Sequence, residues 1–235
     1  MTISIIPITG IGSIEAGNEI AETIAAGALE QGTPIQAGDC LVVTQKIISK
    51  AENRLVEIDP ADSGARQRLI ESESVRIVRR RGDLIISETN QGFICANAGI
   101  DLSNVPDGYA ALLPLDADRS ARHIRDALRA RLAIDVAVII SDTFGRPWRT
   151  GVTDVAIGVA GIAAVVDLRG LTDTYGRELM VTEVAIADEI AAAAELVMGK
   201  TTSIPVAIVR GIDAEWLGEG SARDLVRAPG DDLFR

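Results

Sequence analysis

The segment "VAVIISDTFGRPWRTGVTDVAIGVAGIAAVV", Val136 to Val166, decides how this chain is read. Two apolar runs flank a polar stretch. The first run, "VAVIIS", reads as a buried strand. The second, "VAIGVAGIAAVV", fits a strand or a buried helix, because periodicity alone does not separate the two. Asp142 and Thr143 therefore stand at the mouth of a buried strand, offering a carboxylate and a hydroxyl. Arg146 and Arg149 add planar donors suited to carboxylate or phosphate. Hard oxygens without His or Cys beside them suit Mg2+ or Mn2+. A bland alternative pairs Asp142 with Arg146 in a structural ion pair. Gly145 and Gly151 permit tight backbone, Trp148 is expected to pack, and Asp154 has no assigned role.

Outward from this segment, strands and helices mix without a regular βα alternation. "ISIIPI" is a short strand. "GNEIAETIAAGALEQG" places Ile20, Ile24 and Ala28 on one helical face, with Gly32 as a stop. "CLVVTQKIISKAENR" is a strand running into a cationic segment. "ARQRLIESESVRIVRR" is expected to be helical throughout. "DLIISETNQGFICANAG" reads as a hairpin. "SARHIRDALRARL" is an amphipathic helix with Ser120 as the expected N-cap. "EVAIADEIAAAAELVM" is a long helix, and "IPVAIVRG" a last strand. The expected class is α+β, with mixed sheets and packed helices.

The chain has 235 residues, long enough to bury a sizeable core as one large domain or two small ones. A formal net charge of −11 argues against general nucleic-acid binding, which needs a basic surface. It leaves room for a small anion held by local Lys and Arg. Arg79–Arg81 read as a solvated edge. The two cysteines, Cys40 and Cys95, lie in apolar runs and read as small buried hydrophobes rather than a disulfide framework. The N-terminus lacks the pattern of a signal peptide, and no uncharged run of membrane-spanning length occurs. No membrane partner is expected, and the cytoplasm is the default location.

Familiar nucleotide motifs fail when checked. A G-x-G-x-x-G reading needs a Gly at position 15, where Glu15 stands. "GKT" at Gly199–Thr201 resembles the end of a P-loop, but Ala194 occupies the first Gly position and a helix precedes it. His123 is the single histidine, on the polar side of its helix, which excludes a two-His zinc site.

Three polar clusters remain at the ends of apolar runs. "TQKIISK", Thr44 to Lys50, carries Lys46 and Lys50 four residues apart, able to meet phosphate as point charges. Taken alone, it reads better as a solvated helix start with Lys50 or Arg54 paired to Glu52. "NAGIDLSNV", Asn97 to Val105, offers Asp101 and Asn104 as ligands or as caps of an Asx-turn. The third is the stretch around Asp142. Together they combine acids for a hard metal, cations for phosphates and glycines for close backbone approach, which suits phosphoryl transfer.

"VVTQKIISKAENR", "NAGIDLSNV", "SDTFGRPWRTGVTDVAIGVAGI", "DTYGRELMVTEVAIADEIAAAAELVMGK" and "VAIVRG" together resemble the coenzyme F-420:L-glutamate ligase family, whose substrate is a 5-deazaflavin. The likeness runs in order from "PITGIG" to the C-terminus, and five blocks make it specific. It implies one ligase unit over 1–235, a mixed α and β fold and an intertwined homodimer. It implies attachment of L-glutamate to the coenzyme precursor with GTP and a divalent cation, Mg2+ or Mn2+, and leaves room for K+. The first bond would form on the lactyl carboxylate and later ones would be γ-linked.

Residue by residue, the resemblance places Thr9, Gly10, Ile11 and Gly12 in a nucleotide-contacting loop. Gln45 and Lys50 would touch the nucleotide, with Lys46 a weaker candidate, and Asn104 would contact GTP. Met198, Gly199, Lys200, Thr201, Thr202 and Ser203 would line its site. Asp101 and Asp142 would hold the metal, and Thr143 would add an oxygen to a second one. Asp142, Lys50 and Arg146 are the candidate catalytic residues, Arg146 and Arg149 as anchors for a substrate carboxylate. Lys200 departs from archaeal two-metal members, which carry an acid there. Either the second metal is held differently, or Lys200 supplies part of its charge to phosphate. By that departure the chain is expected nearer the bacterial branch, whose members can continue into a nitroreductase-like domain. Two other readings stay open: a different metal- and nucleotide-dependent amide ligase, and a non-catalytic deazaflavin-binding module.

Overall fold

A computed structural model describes residues 2–232. In chain order the elements are β1 (Ser4–Ile8), α1 (Ile20–Glu30), β2 (Cys40–Thr44), α2 (Gln45–Ala51), β3 (Leu55–Glu57), α3 (Ala65–Ser72), β4 (Ser74–Arg81), β5 (Leu84–Thr89) and β6 (Ile94–Ala96). There follow β7 (Tyr109–Ala111), α4 (Ala117–Leu132), β8 (Ala137–Arg146), β9 (Arg149–Ala160), β10 (Val166–Asp167), β11 (Glu183–Val184), α5 (Ile186–Met198) and β12 (Val206–Arg210). The class is α+β, as expected. The first half of the ambiguous Gly- and Ala-rich run, to Ala160, belongs to strand β9, and the second half leaves the sheet as irregular backbone before β10.

The main sheet has the order β1-β12-β2-β8-β9. Only β2 and β8 run parallel; the other pairs are antiparallel. Both faces are covered, which explains why the central strands are apolar without alternation. Leu41 and Val43 face α1 and α4, packing with Ile24, Ile124 and Leu128. Cys40 and Val42 face the other way, against Ile190 and Ala194 of α5. Gly158 of β9 lets α4 approach closely, since a Cβ there would collide with the backbone of Ala117. Both cysteines are buried and free. No described helix is long and apolar enough to cross a membrane. A smaller part carries the two-stranded sheet β3-β7 and the three-stranded sheet β4-β5-β6.

Three expectations are corrected. The segment from Ala65 is helical only to Ser72; β4 follows, because Val75, Ile77 and Val78 favour the pleated surface and the strand pairs with β5 through two irregularities. Helix α4 begins at Ala117, and its N-cap is Asp116, whose carboxylate accepts from the Arg119 N–H at 2.8 Å. Ser120 lies inside the helix and donates to Glu52 instead. Trp148 does not pack into the core: it sits at the β8–β9 turn with φ of 57° and is 81% exposed.

Candidate active site

The ends of β2, β6 and β8 and the turn after α5 surround a cavity of about 850 Å3. That volume suits a nucleotide-sized ligand. At one wall α2 starts directly after β2, so Gln45, Lys46 and Lys50 face inward. Gln45 is buried, and its side-chain oxygen accepts from the Ser49 hydroxyl at 2.7 Å. Lys46 Nζ reaches Asp101 at 2.7 Å and the Ser103 hydroxyl at 2.9 Å. Lys50 lines the same cavity, and its side chain has no hydrogen bond or ion pair among the described residues. Burial, and then Lys46, lower its pKa. The alternative pairing of Glu52 with Lys50 or Arg54 does not form; Arg54 pairs with Glu73 instead, at 2.8 Å.

The loop after β6 supplies the second wall. Here Asn97 and Asn104 adopt positive φ, and Gly99 lies where a Cβ would strike the Leu113 side chain. Asp101 does both things its sequence allowed. Its Oδ1 caps a local turn, accepting from the Ser103 N–H and hydroxyl at 2.7 Å each, while Oδ2 faces Lys46. Burial opposes its charge, but Lys46 and Ser103 outweigh that and hold the carboxyl below its usual range.

Asp142 of β8 forms the floor. The ion pair with Arg146 is absent, and no cation lies within 4 Å of Asp142 among the described residues. Burial first, then the negative charges of Asp101 and Asp154, push its carboxyl up to about 7, while the Thr143 backbone and Lys200 pull the other way. One residue on, Thr143 donates to Asp154 Oδ1 at 2.6 Å. Asp154 Oδ2 accepts from Ser141 at 3.0 Å.

The turn after α5 closes the site. Gly199 takes φ of 59° and ψ of 171°, and Thr202 bonds back to the Met198 carbonyl. This brings Lys200 over the strand ends, with Nζ 3.2 Å from both Asp154 and Glu195 and in contact with Thr143.

Of the nucleotide-loop candidates, Ile11 and Gly12 line the cavity. Thr9 is tied to Gln31 at the end of α1 and, with Gly10, stays outside the lining. Asn104, Met198, Gly199, Lys200, Thr201 and Ser203 line it, and Thr202 supports the turn. Arg146 and Arg149 lie at the hairpin tip outside the cavity, where the Arg146 side chain, among the described residues, donates only to the Thr150 carbonyl, at 3.5 Å. The structure adds Cys95, Ser103, Phe144 and Glu195 to the lining, and Asp154 behind it. An acid inside the apolar run "VTDVAIGV" was the one signal available for Asp154.

No three described His, Cys, Asp or Glu side chains form a ready-made metal cage. Asp101 and Asp142 nevertheless fit Mg2+ or Mn2+, ions held through one or two carboxylates plus substrate phosphates. A half-buried carboxylate without a cation, lining the same cavity as a lysine without an anion among the described residues, is what such a metal–phosphate unit would satisfy.

The family model described as F420-0:Gamma-glutamyl ligase matches residues 10–211. Coenzyme F420:L-glutamate ligase of Methanothermobacter thermautotrophicus is 43% identical over 251 residues, covering 100% of both chains. The protein of that name from Methanopyrus kandleri is 41% identical over 252 residues, covering 100% of this chain and 98% of the relative. That from Archaeoglobus fulgidus is 36% identical over 249 residues, covering 100% and 97%.

Proposed function

The chain belongs to the F420-0:gamma-glutamyl ligase family, and from that premise we propose that it is a GTP-dependent ligase adding L-glutamate to a deazaflavin coenzyme precursor. The observation that carries the nucleotide and metal part is the pairing of unfilled charges in one cavity: Asp142 without a cation and Lys50 without an anion.

Asp101 and Asp142 would hold the divalent cation, with Thr143 beside them. Bound there, the cation would neutralise phosphate charge as the γ-phosphoryl group moves. Lys50 contacts the phosphates, while Ile11, Gly12, Gln45, Asn104 and the turn from Met198 to Ser203 enclose the nucleotide. An oxygen of the acceptor carboxylate bonds to the γ-phosphorus, the bond to the β–γ bridging oxygen breaks, and GDP leaves. The α-amine of glutamate then attacks the acyl carbon and phosphate departs. Arg146 and Arg149, outside the cavity, have no part in this reading.

A homodimer completes the proposal. Tyr175, Met180 and Val181 are largely exposed in the segment after β10, and Val152 is exposed in the β8–β9 hairpin. Gathered into one contiguous patch, such side chains would form a contact surface for a second copy.

The decisive experiment incubates the protein with the deazaflavin acceptor, GTP, L-glutamate and Mg2+ or Mn2+, and follows mass. Successive additions of one glutamyl unit are expected. No added mass with either metal defeats the proposal, and GTP turnover with a different carboxylic acid would redirect it to another amide ligase.

A further inference from the structure

We propose that Asp154 and Glu195 form a carboxylate clamp that fixes the Lys200 ammonium as a resident cation on the cavity wall, which makes both acids positioning residues. The inference rests on the nucleotide site proposed above.

A lysine beside a surface carboxylate contributes little and holds no fixed place. Lys200 differs because one of its partners is inside the protein. Asp154 is 3% exposed, and an ionised carboxylate so buried needs both hydrogen bonds and a counter-charge. Ser141 and Thr143 supply the bonds, at 3.0 and 2.6 Å, and aim both oxygens. Lys200 is the only ion-pair partner of Asp154 among the described residues. Glu195, one turn before the end of α5, takes the same ammonium from the other side at 3.2 Å. Burial opposes the charge on Lys200, and the two acids outweigh it and raise its pKa.

The arrangement also distributes charge. Asp101 has Lys46, Asp154 has Lys200, and Asp142 has neither. Asp101 and Asp154 thus each have a cation from within the chain, while Asp142 has none among the described residues. An ammonium already held in place also loses less freedom when it meets a phosphate.

The test is calorimetric GTP binding with divalent metal removed by EDTA, repeated with Mg2+ present. Asp154→Asn and Lys200→Met are each expected to weaken metal-free binding about tenfold or more. The double variant should bind no worse than about twofold below the weaker single, because both changes remove one unit. Glu195→Gln, which lies nearer solvent, should show a smaller loss and serves if Asp154→Asn fails to fold. Binding by Asp154→Asn and Glu195→Gln within about twofold of wild type overturns the clamp, as do penalties that multiply in the double variant. Wild-type protein that binds no GTP in either condition overturns the nucleotide site and the clamp together.

Discussion

Asp142 stands opposite Val155, and Thr143 opposite Asp154, so the two acids lie on neighbouring strands but project from opposite faces of the sheet. The hydrogen bonds agree: Ser141 and Thr143, not Asp142, reach Asp154. One acid is therefore spent inside the protein and the other left facing the cavity. Four outcomes follow from this and its surroundings.

Asp142 should make the metal-free protein less stable as pH rises. Its folded value of about 7 exceeds the ordinary 3.8, so between those values the folded state binds more protons than the unfolded one. Stability then falls with increasing pH across that window, and the loss is complete above about 7. Asp142→Asn should abolish ligase activity, remove this slope and raise Tm at pH near 8. Each kcal/mol relieved adds about 2–4 °C at this size. Added Mg2+ should stabilise wild type at that pH and leave the variant unchanged. A lower Tm for the variant at that pH would sink the assignment.

Lys50→Met should raise the KM for GTP about 10- to 100-fold, the weight of a charge-assisted contact. Its Tm should hold or rise, because the substitution removes a half-buried cation whose side chain has no partner among the described residues. Steady-state kinetics and a thermal melt check both halves. An unchanged KM rules out the phosphate contact.

Gly158→Ala tests the close approach of α4 to β9. A methyl group there overlaps the Ala117 backbone, which cannot rotate away. The expected cost is about 1–3 kcal/mol, read as a lower Tm with GTP binding little changed in the folded fraction. Wild-type stability would show that the helix can shift freely.

Met180→Glu combined with Val181→Asp should convert a dimer to monomers in analytical ultracentrifugation, since both side chains are largely exposed and apolar. A wild-type protein that sediments as a monomer would remove the dimer from the proposal.

The apolar runs made most of the fold legible. β2, β8 and β12 are too hydrophobic to be anything but buried, and α1, α4 and α5 carry clear helical stripes. Where the reading failed, a local choice depended on distant atoms. The stretch 74–81 became a strand because β5 was there to receive it. Asp116, not Ser120, caps α4 because Ser120 turns toward Glu52, far away in sequence. Within the site, Asp101, Asp142 and Lys50 were visible as charges ending apolar runs. Asp154 and Glu195 were not, because their meaning lies in Lys200, which reaches them only once the turn at Gly199 has formed.

The strand order holds a lesson about synthesis. β12, near the end of the chain, lies between β1 and β2, both made long before it. Until β12 leaves the ribosome, β1 has no neighbour in this sheet and β2 shows an open edge. The turn that carries Lys200 comes just ahead of β12. A growing chain thus has Asp101 and Asp142 in hand well before the wall that faces them. Until then the growing chain carries an open, apolar strand edge, the kind of surface that favours pairing with other chains.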